Sequence, residues 1–248
     1  MSFIWKAKRI IKDEGLLSFL KIAGLTSVQF VASPYLSRKL RATAKDTELD
    51  ELADIAFHGS LSIIEPFQIE DEIPELLRLL KTREPKNIIE IGTARGGTLF
   101  LFSRVAADDA NIISIDLMSE KSGGGYPQWK APLYRSFALQ DQQIHLLNED
   151  SHEEATRIMV EKILAGEKVD FIFIDGDHSY NGVKRDFELY SSLVRKGGMI
   201  AFHDIAKPAP GSVEGVYKFW QEIIQNRKYQ EIIKDANQGW AGFGQLYV

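Results

Sequence analysis

Residues 87–98 read NIIEIGTARGGT, and the fold follows from how this stretch breaks. Its first five residues form a short, mostly apolar run, too short for a helix, so they read as a buried strand. Gly92, Gly96 and Gly97 then interrupt, and from Thr98 the apolar residues recur at helical spacing. A strand that ends in a glycine turn and opens into a helix is the start of a βα unit. Glycines let the chain turn sharply and let backbone N–H groups approach a ligand at the helix N-terminus. Ala94 occupies the second glycine position of G-x-G-x-x-G, so the turn is not a clean dinucleotide fingerprint.

The same pattern continues outward. Strands are predicted at 87–91, 111–115, 144–147, 169–174 and 199–202, with helices at 98–107, 153–164 and 180–194 between them. A helix at 73–80, with Pro74 in its first turn, precedes the first strand. After the fifth come a loop with Pro208 and Pro210, a helix at 213–225, and strands at 229–233 and 242–247. This alternation predicts an α/β, Rossmann-like sheet of seven strands, mostly parallel, with helices on both faces. Ligands of such sheets bind outside the carboxyl ends of the strands. The loops 119–131 and 205–212 follow strand ends there and are expected at an acceptor entrance.

Composition sets the bounds. Of 248 residues, 44% are apolar and 26% charged, as in a globular chain, and the absence of cysteine excludes disulfides and thiolate chemistry. A net charge of −5 argues against nucleic acid as a partner. Residues 1–45 nevertheless carry nine Lys/Arg against two acids, a net +7 that leaves −12 on the rest. The chain therefore divides into a basic helical arm, 1–59, and a body, 60–248. Helices are expected at 4–12 and 16–31, ahead of a break at Pro34. The apolar stretch 16–32 is interrupted by Lys21 and Gln29 and falls short of the roughly 20 residues of a membrane span. The arm suits packing on the body or on a second subunit, which makes a homo-oligomer the expectation. Its Lys, Trp and Phe content also suits peripheral membrane contact. The expected location is the cytoplasm, with membrane association through the arm.

The strand ends carry acids. Asp116 closes the second strand, 24 residues after Gly92, a distance at which an acid can accept both hydroxyls of a ribose. The turn and this acid together point to an adenosine-containing cofactor. With them stand Glu149-Asp150-Ser151, then FIFIDGDHSY at 171–180, then GGMIAFHD at 197–204. This ordered set, over about residues 60–248, resembles the class I S-adenosylmethionine-dependent methyltransferases. It is most similar to small-molecule O-methyltransferases related to macrolide-sugar and cephalosporin-tailoring enzymes.

The resemblance implies an antiparallel last strand and a set of roles. Glu90, Gly92, Thr93 and Gly96 would border the methionine part of S-adenosylmethionine. Asp116 would hold its ribose, Asp150 and Ser151 its adenine, and Asp175 would complete the cofactor set. Asp175, His203 and Asp204 would hold a divalent metal, magnesium or manganese, with His178 as the base three residues after Asp175. His203 stands where relatives often have an acid or amide, and an imidazole suits manganese better than magnesium. The bland alternative for His178 is a helix cap at 180. The implied reaction is methyl transfer to a hydroxyl of a small molecule or glycan. Three rivals remain, one of them a nicotinamide dehydrogenase, against which the imperfect fingerprint counts. Asp175-Gly176-Asp177 also fits the metal motif of a glycosyltransferase using a nucleotide sugar, and a non-enzymatic module could keep the cofactor fold.

Overall fold

A computed structural model describes residues 16–117 and 125–248, with side chains from residue 24 onward. The expected helix 4–12 and residues 119–124 of the expected loop lie outside the described residues. The strands are β1 (Asn87–Ile91), β2 (Asn111–Ile115), β3 (Gln143–Leu147), β4 (Val169–Ile174), β5 (Val194–His203), β6 (Tyr229–Ile232) and β7 (Phe243–Tyr247). The helices are α1 (Leu16–Arg41), α2 (Leu49–Phe57), α3 (Ile73–Lys81), α4 (Gly97–Val105), α5 (Ala131–Arg135), α6 (Glu154–Leu164), α7 (Tyr180–Tyr190) and α8 (Gly215–Ile223). One seven-stranded sheet runs in the order β3-β2-β1-β4-β5-β7-β6. Strands β1 to β5 pair in parallel, and β7 runs antiparallel to both β5 and β6. That is the Rossmann-like arrangement expected, with its last strand reversed.

Side-chain alternation explains the two covered faces. Ile88, Ile112, Phe171, Phe173, Met199 and Ala201 point to one face, packed under α2, α3, α4 and the end of α1. Ile89, Ile113, Ile172, Ile174, Ile200 and Phe202 point to the other, under α6, α7 and α8. Strands buried on both sides read as continuous apolar runs, which is why β1, β2 and β4 fall on their expected residues. β5 is longer than expected. Val194 pairs with Val169, and a register shift lies between the Val169 and Phe171 pairings, so the strand takes in Val194, assigned to the preceding helix, and the unassigned residues 195–198. That helix ends at Tyr190, followed by a single turn, Ser191–Leu193.

The arm departs from its local signals. α1 runs through Pro34 to Arg41, where a break was expected. A proline inside a helix costs about 3 kcal/mol. Burying a leucine recovers about 1.5–3 kcal/mol, and both Leu36 and Leu40 are buried in the core beyond the proline. Arg104 of α4 adds to this. It is fully buried and donates to the Leu40 carbonyl at 2.7 Å and to the Phe137 carbonyl at 2.7 Å. Burial lowers its pKa to about 10, so it remains a cation at neutral pH. No helix among the described residues is long and apolar enough to cross a membrane.

Arg104→Leu should strand both carbonyls and lower the unfolding free energy by roughly 1.5–3 kcal/mol, the scale of hydrogen bonds to a charged donor. Urea denaturation checks this; a change within experimental scatter would mean that Arg104 does not pin the arm to the body.

Candidate active site

Glu90 sits next to last in β1, on the face it shares with Ile88, and its register partner on β2 is Ser114. The Ser114 hydroxyl donates to one carboxylate oxygen at 2.7 Å, and the Thr98 hydroxyl of α4 donates to the other at 2.6 Å. Full burial raises the Glu90 pKa to about 8 despite these bonds, with Asp116 and Asp175 adding repulsion. Glu90 is thus a neutral acid over most of the physiological range. Beyond it, Gly92 (φ 95°) passes so close to β4 that a Cβ would collide with the Asp175 carbonyl oxygen. Gly96 (φ 84°) lies under the Tyr134 ring, 2.6 Å from where a Cβ would stand. Thr93 turns inward and bonds Ser114 at 2.5 Å, so only its backbone faces the turn's outer side.

Asp116 follows β2 and accepts the Ala94 N–H at 2.7 Å. Burial raises its pKa, while N–H groups of Ala94, Leu117 and Thr93 pull it back. The carboxylate therefore braces the glycine turn, and Ala94 takes a left-handed φ of 44° to reach it. Near these two acids the buried Tyr126 hydroxyl has no hydrogen-bond partner among the described residues. A cradle of turned-out backbone, the Asp116 carboxylate and an orphan hydroxyl fits a ligand that brings its own hydroxyls.

The ends of β4 and β5 supply the second half. Asp175 lies between two imidazoles, with His178 Nε2 at 3.3 Å and His203 Nδ1 at 3.2 Å. Asp204 faces the same rings, 3.3 Å from His178 Nδ1 and 3.4 Å from His203 Nδ1. Burial pushes the Asp175 pKa up, but the two rings outweigh it and hold it at about 2. The bond to Asp175 leads in raising His178 to about 9. Burial pulls His203 down, yet Asp175 and Asp204 raise it overall. Asp175, His178 and Asp204 each offer a ligand atom within 4.8 Å of the others. His178 is not the cap of α7: the Ser179 hydroxyl accepts the Gly182 N–H at 3.0 Å and caps that helix.

Asp150 and Ser151 lie after β3, one strand further out. Asp150 Oδ1 accepts the His152 N–H at 3.0 Å, and the Ser151 carbonyl accepts from the Tyr190 hydroxyl at 2.9 Å. Three contributors escaped the sequence reading. Gln68, largely buried, donates to Asp175 Oδ2 at 2.7 Å across 107 positions, and no local signal announces it. Glu72, also buried, accepts the N–H groups of Lys234 and Gly242 and so shapes the loop whose Ala241 N–H binds Asp204 at 3.0 Å. Ser114 had a signal: it is a lone hydroxyl inside an otherwise apolar core of β2.

The chain is similar to known methyltransferases in sequence and in fold. Residues 89–205 match the family model described as a methyltransferase domain. The sheet order above is the Rossmann-like fold that solved O-methyltransferases share. An uncharacterized protein, R132, of Acanthamoeba polyphaga mimivirus is 31% identical over 138 residues, covering 56% of this chain and 60% of that protein. The "probable caffeoyl-CoA O-methyltransferase 3" of Dictyostelium discoideum is 32% identical over 130 residues, 51% of this chain and 47% of its own. The chain thus spans less than two thirds of either relative. Among solved structures, the O-methyltransferase TomG of Streptomyces achromogenes, involved in tomaymycin synthesis and bound to SAM, superposes with a TM-score of 0.55. It shares 17% identity over 82% of this chain and 90% of TomG.

The Glu90 proton gives a test of the site's electrostatics. The native acid keeps its proton to about pH 8, whereas a solvated glutamate in the unfolded chain loses it near 4.5. The native state therefore binds the extra proton between these values. Its contribution to stability is complete below pH 4.5 and is lost as pH rises through about 8. Glu90→Gln, always neutral, should melt above the wild type at pH 8.5, and the gap should close toward pH 5. Equal pH dependence of the two melting temperatures would mean that Glu90 is ionised in the fold.

Proposed function

We propose that the chain transfers a methyl group from S-adenosylmethionine to a hydroxyl of a small molecule. The observation that carries this reading is the convergence, at the carboxyl ends of adjacent strands, of a braced glycine turn with Asp116 and of an acid–imidazole cluster. The first suits an adenosine bearing an amino acid, and the second suits a hydroxyl that must lose a proton. The methyltransferase match and the O-methyltransferase relatives support the same reading. The glycosyltransferase alternative gains nothing from them, and the acids that a bare binding module could discard are all retained.

When bound, S-adenosylmethionine supplies a methyl group activated on a sulfonium. In this proposal Asp116 accepts the ribose hydroxyls, Asp150 and Ser151 border the adenine, and Gly92, Thr93, Gly96 and Asp175 line the methionine end, with Glu90, fully buried beneath them, supporting the turn rather than touching the ligand. Orientation of this kind is a large part of what an enzyme contributes to a displacement. Asp175 and Asp204, with His203 beside them, would hold a divalent cation, and their mixed oxygen and nitrogen donors suit manganese. His178 takes the acceptor proton. It cannot do so while it bridges both carboxylates as an imidazolium with a pKa near 9. A base role therefore requires that Asp175 and Asp204 be engaged elsewhere, which a cation on them would accomplish. The division into an arm, 1–59, and a cofactor domain, 60–248, belongs to the same proposal, as does assembly through the arm. A glycan acceptor is its narrower form.

Isothermal titration should detect S-adenosylhomocysteine, but neither a nucleotide sugar nor NAD. Asp116→Ala should weaken that binding by roughly 1.5–3 kcal/mol. Preference for the nucleotide sugar would overturn the assignment.

His178→Ala should lower turnover by roughly 10²–10⁴-fold. Because the base must be neutral, wild-type turnover should rise with pH toward about 9. Added manganese should move that limb to lower pH by removing the negative charge that holds the proton. A limb that persists in His178→Ala would assign the proton transfer to another group.

A further inference from the structure

Asp186 of α7 is fully buried, and neither carboxylate oxygen has a hydrogen-bond partner among the described residues. It underlies the turn at the end of β4, since a Cβ at Gly176 would meet Asp186 Oδ2 at 3.7 Å. A buried carboxylate without a partner is strongly disfavoured. Among the described residues, the basic side chain within ion-pair range of it is His152, whose Nε2 lies 3.6 Å from Oδ1. The other ring nitrogen of His152 lies 3.6 Å from Asp150 Oδ1. One imidazole thus spans the gap between the end of β3 and the body of α7.

We infer that His152 is a positioning residue for cofactor binding: its imidazolium ties the Asp150–Ser151 stretch to the buried Asp186 carboxylate. This rests on the reading that Asp150 and Ser151 border the adenine. The surroundings agree with it. Tyr190, on the same helix, donates to the Ser151 carbonyl at 2.9 Å, and Arg185 Nε donates to the His152 carbonyl at 3.2 Å. Arg185 spends its charge on Glu154, at 3.3 Å, which leaves the Asp186 carboxylate to the imidazole. The groups that act on the ring are Asp186, Asp150 and Asp177, and all three favour the protonated form against the opposing effect of burial. At low pH the imidazolium therefore bridges two acids. As pH rises through its elevated pKa the bridge loses its charge, Asp186 is left alone, and the Asp150–Ser151 stretch loses its tie to α7.

Affinity for S-adenosylhomocysteine should therefore fall with rising pH through His152. The test is titration calorimetry of the full chain from pH 6 to 9, on wild type, His152→Gln and Asp186→Asn. Circular dichroism verifies the fold of each, and Asp186→Asn removes the need for a cation without changing shape. Glu90, His178 and His203 titrate alike in all three proteins, so the difference between profiles reports His152. Wild type should lose about tenfold in affinity for each pKa unit by which the ligand-bound state favours the proton. Both variants should bind more weakly than wild type at pH 6, and their profiles should be flatter. A merely structural pair would lower affinity by the same factor at every pH, which would overturn the inference. Wild-type profiles in both variants would overturn it as well, leaving the cofactor reading intact. No binding to wild type at any pH would overturn both.

Discussion

Everything at this site depends on how closely β1 and β4 approach at their carboxyl ends. Asp175 N–H bonds the Ile91 carbonyl at 2.8 Å, and Gly92 N–H bonds the Ile115 carbonyl at 2.9 Å. Strands β2, β1 and β4 therefore end together, with no space for a side chain at position 92. Any residue with a Cβ there would push β1 and β4 apart. The glycine turn and the Asp175–His178 turn would then no longer share one cleft. The cofactor half and the acid–base half are thus neighbours because of a main-chain contact, before any side chain is considered.

That closeness creates an electrostatic problem, because Glu90, Asp116 and Asp175 repel one another. The fold resolves it in a different way for each acid. Glu90, sealed in the sheet between Ser114 and Thr98, keeps its proton. Asp116 remains near the mouth and is stabilised by backbone N–H groups of the turn it braces. Asp175 is ionised and held so by two imidazoles. Three carboxyl groups at consecutive strand ends thus become a neutral acid, a backbone-bound carboxylate and an ion-paired carboxylate. Only the third has cationic partners, so that is where the acid–base chemistry of the proposed reaction would sit.

Much of this was legible in the sequence because strand ends in such sheets carry their polar residues locally. The runs at 87–91, 111–115 and 169–174 have definite boundaries: an apolar stretch followed at once by glycine or aspartate. What could not be read depends on tertiary pairing. Pro34 signals a break by every local rule, and only the burial of Leu36 and Leu40 and the reach of Arg104 carry the helix past it. Val194 reads as the end of a helix until Val169 is present to pair with it. Gln68 and Glu72 act on residues more than a hundred positions away. His178 was legible as a residue that meets acids, but its state was not. Spacing from Asp175 suggests a base of ordinary pKa, whereas two flanking carboxylates make it an imidazolium.

The most direct measurement is a crystal structure of the chain grown with S-adenosylhomocysteine. The account predicts the ribose hydroxyls on Asp116, the adenine against Asp150 and Ser151, and the sulfur facing the Asp175–His178–Asp204 cluster. A ligand bound at the opposite rim of the sheet, or with its ribose away from Asp116, would contradict it.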